Sequence, residues 1–89
     1  MTTVDQWPVE ISLREADRET RAEARLMRTN GYRLAGHGVA RRNPDDRGVT
    51  EIGEEIAAAR ALSDLAHKLL STAAGSIESI THERAHLHL

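Results

Sequence analysis

Residues 43–74 read NPDDRGVTEIGEEIAAARALSDLAHKLLSTAA, and the fold turns on what this stretch becomes. It opens with a cluster of turn formers, Asn43 to Gly48, in which proline and Asx residues favour a change of chain direction. A helix follows. Stepping 100° per residue, Ile52, Ile56, Ala59, Leu62, Ser63, Ala66, Leu69 and Leu70 share one arc, while Glu54, Arg60, Asp64, His67 and Lys68 occupy the rest, so the spacing predicts one apolar helical face. Thr50 is placed to cap the first turn, with Glu51, Glu54 and Glu55 near the positive end of the helix dipole and Lys68 toward the negative end. Gly75 predicts a stop, which gives a helix over 50–74 of roughly 36 Å at 1.5 Å per residue. Gly53 weakens that helix by about 1 kcal/mol relative to alanine, which implies a packing reason such as a strand passing close by.

The chain upstream alternates. Trp7, Val9, Ile11 and Leu13 fall on one side of an extended segment and Glu10, Ser12 and Arg14 on the other, the period of a half-buried strand. Pro8 fits the start of that strand or a sheet edge. EADRE, residues 15–19, is a charged turn. Over 20–29 helix propensity competes with alternation, and the alternation of Ala22, Ala24 and Leu26 against Arg21, Glu23 and Arg25 favours a strand whose small residues face the helix. Asn30-Gly31 is a strong hairpin signal. In a third strand over 32–42, Leu34, Gly36, Gly38 and Ala40 face one side, and the two glycines allow a helix backbone to lie close. After Gly75, Ser76 can cap a short helical turn, and residues 82–89 end in a His-Leu alternation compatible with a short strand. The expectation is a single α+β domain over 1–89, a three-stranded antiparallel sheet packed on one long helix (β-β-β-α) with a short C-terminal helical turn or strand.

Composition limits the function. Eighty-nine residues give little core relative to surface, and two open sheet edges on a thin core favour a homodimer. With one Trp, one Tyr, no Phe and no Cys, the interior must be aliphatic and alanine-rich, without disulfides or thiolate metal sites. No apolar run approaches a membrane span and the first residues do not resemble a signal peptide, so the expected location is cytoplasmic, away from membranes. The net charge is −2, unlike that of an indiscriminate nucleic-acid binder, yet residues 1–42 hold eight arginines against six acidic residues.

No constellation identifies an enzyme, a cofactor or a small-molecule substrate. His82, His86 and His88 cluster but lack an evident fourth ligand, so no metal site is expected, and His67 reads as a surface residue. Gly36-His37-Gly38 lacks the third glycine of a dinucleotide loop, where Arg41 stands instead. Asp45, Asp46, Glu51, Glu54 and Glu55 do not follow calcium-loop spacing. The arginines carry more information. Arg14, Arg21, Arg25, Arg33 and Arg41 share the sheet face away from the helix, with Arg28 and Arg42 nearby, and guanidinium groups match phosphate oxygens geometrically. Arg21, Arg25, Arg33, Arg41 and Arg42 are therefore the candidate RNA- or ribosome-binding residues. Glu10 and Glu23 interrupt the set as cross-strand partners would, and a salt-bridged surface serving only as a protein-interaction module is the alternative.

AGHGVARRNPDDRGVTEIGEEIAAARALSDLAHKLL, residues 35–70, with TRAEARL at 20–26 and SIESITHERA at 76–85, resembles a family of small actinobacterial proteins of unassigned function with a double-stranded-RNA-binding-domain-like fold. Mycobacterial members of that family are associated with hypoxia and dormancy. The resemblance implies a three-stranded sheet on a helix, homodimerisation, and a stress or dormancy role similar to that of ribosome hibernation factors. The chain departs from duplex-RNA binders of the usual kind. It has no room for their N-terminal helix, and its helix entrance, GVTEIGEE at 48–55, is acidic where theirs is rich in lysine.

Overall fold

The computed structural model describes residues 2–41 and 50–89; the expected turn at 43–48 and Arg42 lie outside them. Three strands and one helix follow in chain order: β1 (Val9–Ala16), β2 (Glu19–Met27), β3 (Arg33–Arg41) and α1 (Thr50–Thr81). The sheet is antiparallel in the order β1-β2-β3, so the expected β-β-β-α architecture is the observed one.

Both hairpins follow from local chemistry. Ala16 pairs with Glu19 across Asp17 and Arg18, whose φ values of 50° and 62° give the two left-handed residues of a tight turn matched to strand twist. The second connection is longer. Arg28 N donates to Tyr32 O at 2.9 Å and Gly31 N to Arg28 O at 3.0 Å, Gly31 has φ 87°, and Asn30 Oδ1 accepts from Tyr32 N at 3.0 Å. Asn30-Gly31 thus builds a three-residue loop with the glycine in the left-handed position.

The core is thin because it is made of small residues. Ala22, Ala24 and Leu26 of β2 and Ala40 of β3 meet Ala57, Ala61 and Leu65 of α1, with Leu34 and Leu69 packed at the margin and Thr20 buried beside them. Gly36 and Gly38 fix how closely the layers approach. A Cβ on Gly36 would overlap Ala61 O and Leu65 N, and one on Gly38 would overlap Ala57 O and Ala61 N. One helical step of four residues rises about 6 Å and two strand residues advance roughly 6.8 Å, so glycines two apart on β3 receive residues four apart on α1. Gly53 has its packing reason in β2, since a Cβ there would lie 3.0 Å from Thr20 Oγ1.

Three expectations about the helix are corrected. The sheet does not take the arc of large residues, for Ile52, Ile56 and Leu62 are 55%, 40% and 43% exposed. It takes the Ala57-Ala61-Leu65 stripe, because a glycine floor seats a helix backbone and larger side chains would hold the layers apart. Gly75 does not stop the helix, which continues to Thr81. A penalty of about 1 kcal/mol is too small to end a helix whose neighbours support it, and Ser76 Oγ bonds back to Thr72 O at 3.0 Å instead of capping a new turn. The actual end is His82, at φ 59°, whose N–H returns to Glu78 O at 2.8 Å. The residues beyond it form no strand. Ala85 N donates to Glu78 Oε1 at 2.9 Å, folding the tail back along the helix. No helix among the described residues is long and apolar enough to cross a membrane.

Candidate interaction surfaces

The outer face of the sheet carries Arg14, Arg21, Arg25, Arg33 and Arg41, in the register expected from alternation. Of the sequence-derived candidates, Arg21, Arg25, Arg33 and Arg41 therefore lie on one face, while Arg42 is outside the described residues. Glutamates are interleaved with them. Arg25 pairs with Glu10 and Glu23, each at 3.3 Å; Glu19 pairs with both Arg21 and Arg41, the latter at 3.3 Å; and Glu23 meets His37 at 3.0 Å. The face is a network of exposed ion pairs, each of small energetic value. Arg14 and Arg33 are the exceptions: no carboxylate among the described residues lies within ion-pair distance of either, and the cross-strand neighbour of Arg14 is the like-charged Arg21.

The two sheet edges differ. Along β3, residues of α1 reach over and cap the outward backbone: Arg60 Nη1 donates to Val39 O at 2.6 Å, Asp64 Oδ2 accepts from His37 N at 2.8 Å, and Lys68 Nζ donates to Ala35 O at 2.7 Å. Positions 60, 64 and 68 on the helix track 39, 37 and 35 on the strand, by the same pitch match that seats the glycines. From sequence these three looked like solvent-facing polar residues. Their i, i+4, i+8 spacing was the available signal, and only the packing shows the edge it runs beside. A strand so capped cannot accept another strand.

Asp64 gives this cap a pH dependence. The hydrogen bond from His37 N and then that from Lys68 hold its carboxyl below the usual aspartate range. A depressed folded-state pKa contributes stability above the unfolded value, about 3.9, and that contribution is lost as pH falls through the folded value. Urea midpoints measured from pH 5 down to pH 2 are expected to fall more steeply for the wild type than for Asp64→Asn, which keeps an amide oxygen there but has no charge to lose. Parallel acid limbs would refute the assignment.

Among the described residues β1 has no such cover. The helix lies over β2 and β3 and scarcely touches β1, so the helix-side residues of β1 remain open: Val9 43%, Ile11 38% and Leu13 39% exposed, with Trp7 at 42% beside them. Leu62 and Leu69 lie on the α1 flank opposite the capping residues, turned toward this strip. The backbone of β1 is equally open. Met27 N donates to Pro8 O at 3.1 Å, which marks 8↔27 as a hydrogen-bonded pair. Alternation along an antiparallel ladder then turns the even residues of β1 toward β2 and the N–H and C=O groups of Val9, Ile11, Leu13 and Glu15 outward. Pro8 does not block that outer row. The strand start is pinned by Arg28, whose guanidinium stacks 4.4 Å over Trp7 and 5.9 Å from Tyr32, a cation–π clamp that alternation alone did not reveal.

The histidine tail lies along the helix. His86 and His88 line a depression of about 250 Å³ with His67, Leu70 and Ala74. Among the described residues no three His, Asp or Glu side chains are grouped so as to hold a metal ion.

Comparison with known proteins places this geometry among close relatives. The family model described as Rv2632c-like matches residues 5–86. The uncharacterized protein MT1780 of Mycobacterium tuberculosis (strain CDC 1551 / Oshkosh) is 48% identical over 84 residues, spanning 94% of this chain and 88% of that protein. The uncharacterized protein Rv2632c of M. tuberculosis (strain ATCC 25618 / H37Rv) is 44% identical over 75 residues, 84% of this chain and 80% of its own. The crystal structure of Rv2632c superposes with a TM-score of 0.83 at 40% identity, covering 92% of this chain and 96% of that one.

Proposed function

The chain belongs to the Rv2632c-like family of mycobacterial proteins, and from that premise we propose that it is a non-enzymatic, cytoplasmic protein-interaction module working through β1 and the apolar strip beside it. The observation that supports this reading is the asymmetry of the sheet. One edge is closed by Arg60, Asp64 and Lys68, and at the other no strand among the described residues lies beside β1, whose Val9, Ile11 and Leu13 are partly exposed. An extended partner gains main-chain hydrogen bonds from such an edge and apolar contact from alternate side chains.

The test is retention on immobilised protein from a nuclease-treated extract, the chain's own copies counting as retained partner. Wild type is expected to hold a protein partner and Ile11→Glu to lose it at least tenfold, since a carboxylate would have to be buried in the contact. Equal retention by both would overturn the reading.

A second reading is supported by the common face of Arg21, Arg25, Arg33 and Arg41: binding of RNA or the ribosome in a stress or dormancy role, as hibernation factors do. The interleaved glutamates weaken its electrostatic basis. Ribosome co-sedimentation at low salt that disappears at high salt would support it, and its absence at low salt would end it.

A further inference from the structure

We propose that a depression on the outer face of the sheet binds the phosphoryl group of a small, non-aromatic phosphomonoester, held between Arg14 and Arg21. The site lies on the face of the sheet and not along the β1 edge, so it stands independently of the interaction-module reading.

Arg14 and Arg21 are directly opposite in the β1–β2 register, where facing Cβ atoms are roughly 4.5–5.5 Å apart. Like charges so placed destabilise a sheet, and an anion bound between them relieves the repulsion. Arg14 meets no carboxylate among the described residues. Arg21 meets Glu19, which Arg41 shares, and a guanidinium has more donors than one shared carboxylate can occupy. Arg33 differs, because its cross-strand neighbour is Met27 and no second guanidinium faces it there.

The surroundings suit a phosphoryl group. Arg14 and Arg21 line a depression of about 340 Å³ together with Ser12, Arg25 and His37, at the lower end of the roughly 300–1,000 Å³ typical of ligand sites. Ser12 adds a hydroxyl two residues from Arg14, on the same face of the strand. Glu23 also lines the depression, but both of its oxygens are engaged, Oε1 by Arg25 at 3.3 Å and Oε2 by His37 at 3.0 Å. Three guanidinium groups against one carboxylate leave an excess of positive charge on the wall, and a phosphomonoester brings about −1.5 to −2 at pH 7. Its oxygens match the guanidinium fork. The rest of the ligand meets Gly38 and Val39. No aromatic ring is at hand to stack a base, since the chain's one Trp and one Tyr stand around Arg28. Glu10 and Glu19 lie to either side of the Arg14–Arg21 row, where the next phosphates of a polymer would fall. A sugar phosphate therefore fits better than a nucleotide or an RNA strand.

The test is an NMR titration of the whole chain with ribose 5-phosphate in chloride buffer, followed on the backbone amides. Saturable shifts centred on Arg14, Arg21 and Val39 are expected, with inorganic phosphate moving the same amides at higher concentration and ribose moving none. Arg14→Gln should weaken binding at least about tenfold, since it removes a charge-assisted contact, and Arg84→Gln, an equal change of charge on the tail, by less than about twofold. In phosphate-free buffer Arg14→Gln is expected to unfold at a higher urea concentration than wild type, because it removes the Arg14–Arg21 repulsion, and saturating ribose 5-phosphate should narrow the gap by stabilising the wild type alone. Shifts spread evenly over Arg33 and Arg41, or equal affinity of wild type and Arg14→Gln, would overturn the site. Equal affinity for inorganic phosphate and ribose 5-phosphate would overturn the ester as ligand. An RNA oligonucleotide binding more than about tenfold tighter at equal phosphate concentration would overturn the small ligand in favour of a polymer.

Discussion

Replacing Gly38 by valine is expected to lower the stability of the fold by at least about 3 kcal/mol. A Cβ at this position would sit on Ala57 O and Ala61 N, which are backbone atoms that no rotamer change can move. The helix must lift off or the strand must bend. Either response also unseats Gly36 from Ala61 and Leu65 and pulls Arg60 and Asp64 away from the β3 edge. Ordinary overpacking costs about 1–3 kcal/mol, and a change coupled to the whole layer contact belongs at or above the top of that range. Small domains have only about 5–15 kcal/mol in total. Urea denaturation followed by circular dichroism gives the measurement, with Gly75→Ala as its counterpart: nothing lies within 4 Å of a Cβ there, and that variant should gain about 1 kcal/mol of helix propensity. A Gly38→Val protein within about 1 kcal/mol of wild type would mean that the layers are not in backbone contact.

Leu65→Ala should be the second large effect. Five of the seven buried hydrophobic residues are alanines, and Leu26 and Leu65, at 2% and 4% exposed, contribute most of the interior volume. Truncating a buried leucine costs about 2–5 kcal/mol, more where the surroundings cannot collapse into the space. Here they cannot, because Gly36 already touches the helix backbone at Leu65. Leu62→Ala, on a residue 43% exposed, is expected to change monomer stability by less than about 1 kcal/mol. If the two variants unfold at similar denaturant concentrations, the assignment of the buried stripe is wrong.

Alternation placed the strands correctly because a residue's side of a strand is a local property. Ala22, Ala24 and Leu26 were legible as one face, and so were the arginines opposite them. Gly36 and Gly38 were also legible, since two glycines on the inward side of a strand have few purposes besides close approach. The helix face was misread for a reason of the same kind. Hydropathy favours the arc of Ile52, Ile56 and Leu62, but contact across a glycine floor is decided by side-chain size, and the alanines on nearly the opposite side of the helix fit it better. The large residues left outside became exposed surface.

The site divides in the same manner. The residues of β1, their alternation and the shared face of Arg14, Arg21, Arg25, Arg33 and Arg41 were determined by the sequence itself, because neighbours along a strand fix them. Whether an arginine is neutralised depends on which glutamate lies across the strand, and whether an edge is open depends on where a helix far along the chain crosses the sheet. Register and crossing are set by contacts between segments tens of residues apart. Only the tertiary structure could therefore show that Arg60, Asp64 and Lys68 close β3, that β1 is left open beside Val9, Ile11 and Leu13, and that Arg14 faces a like charge.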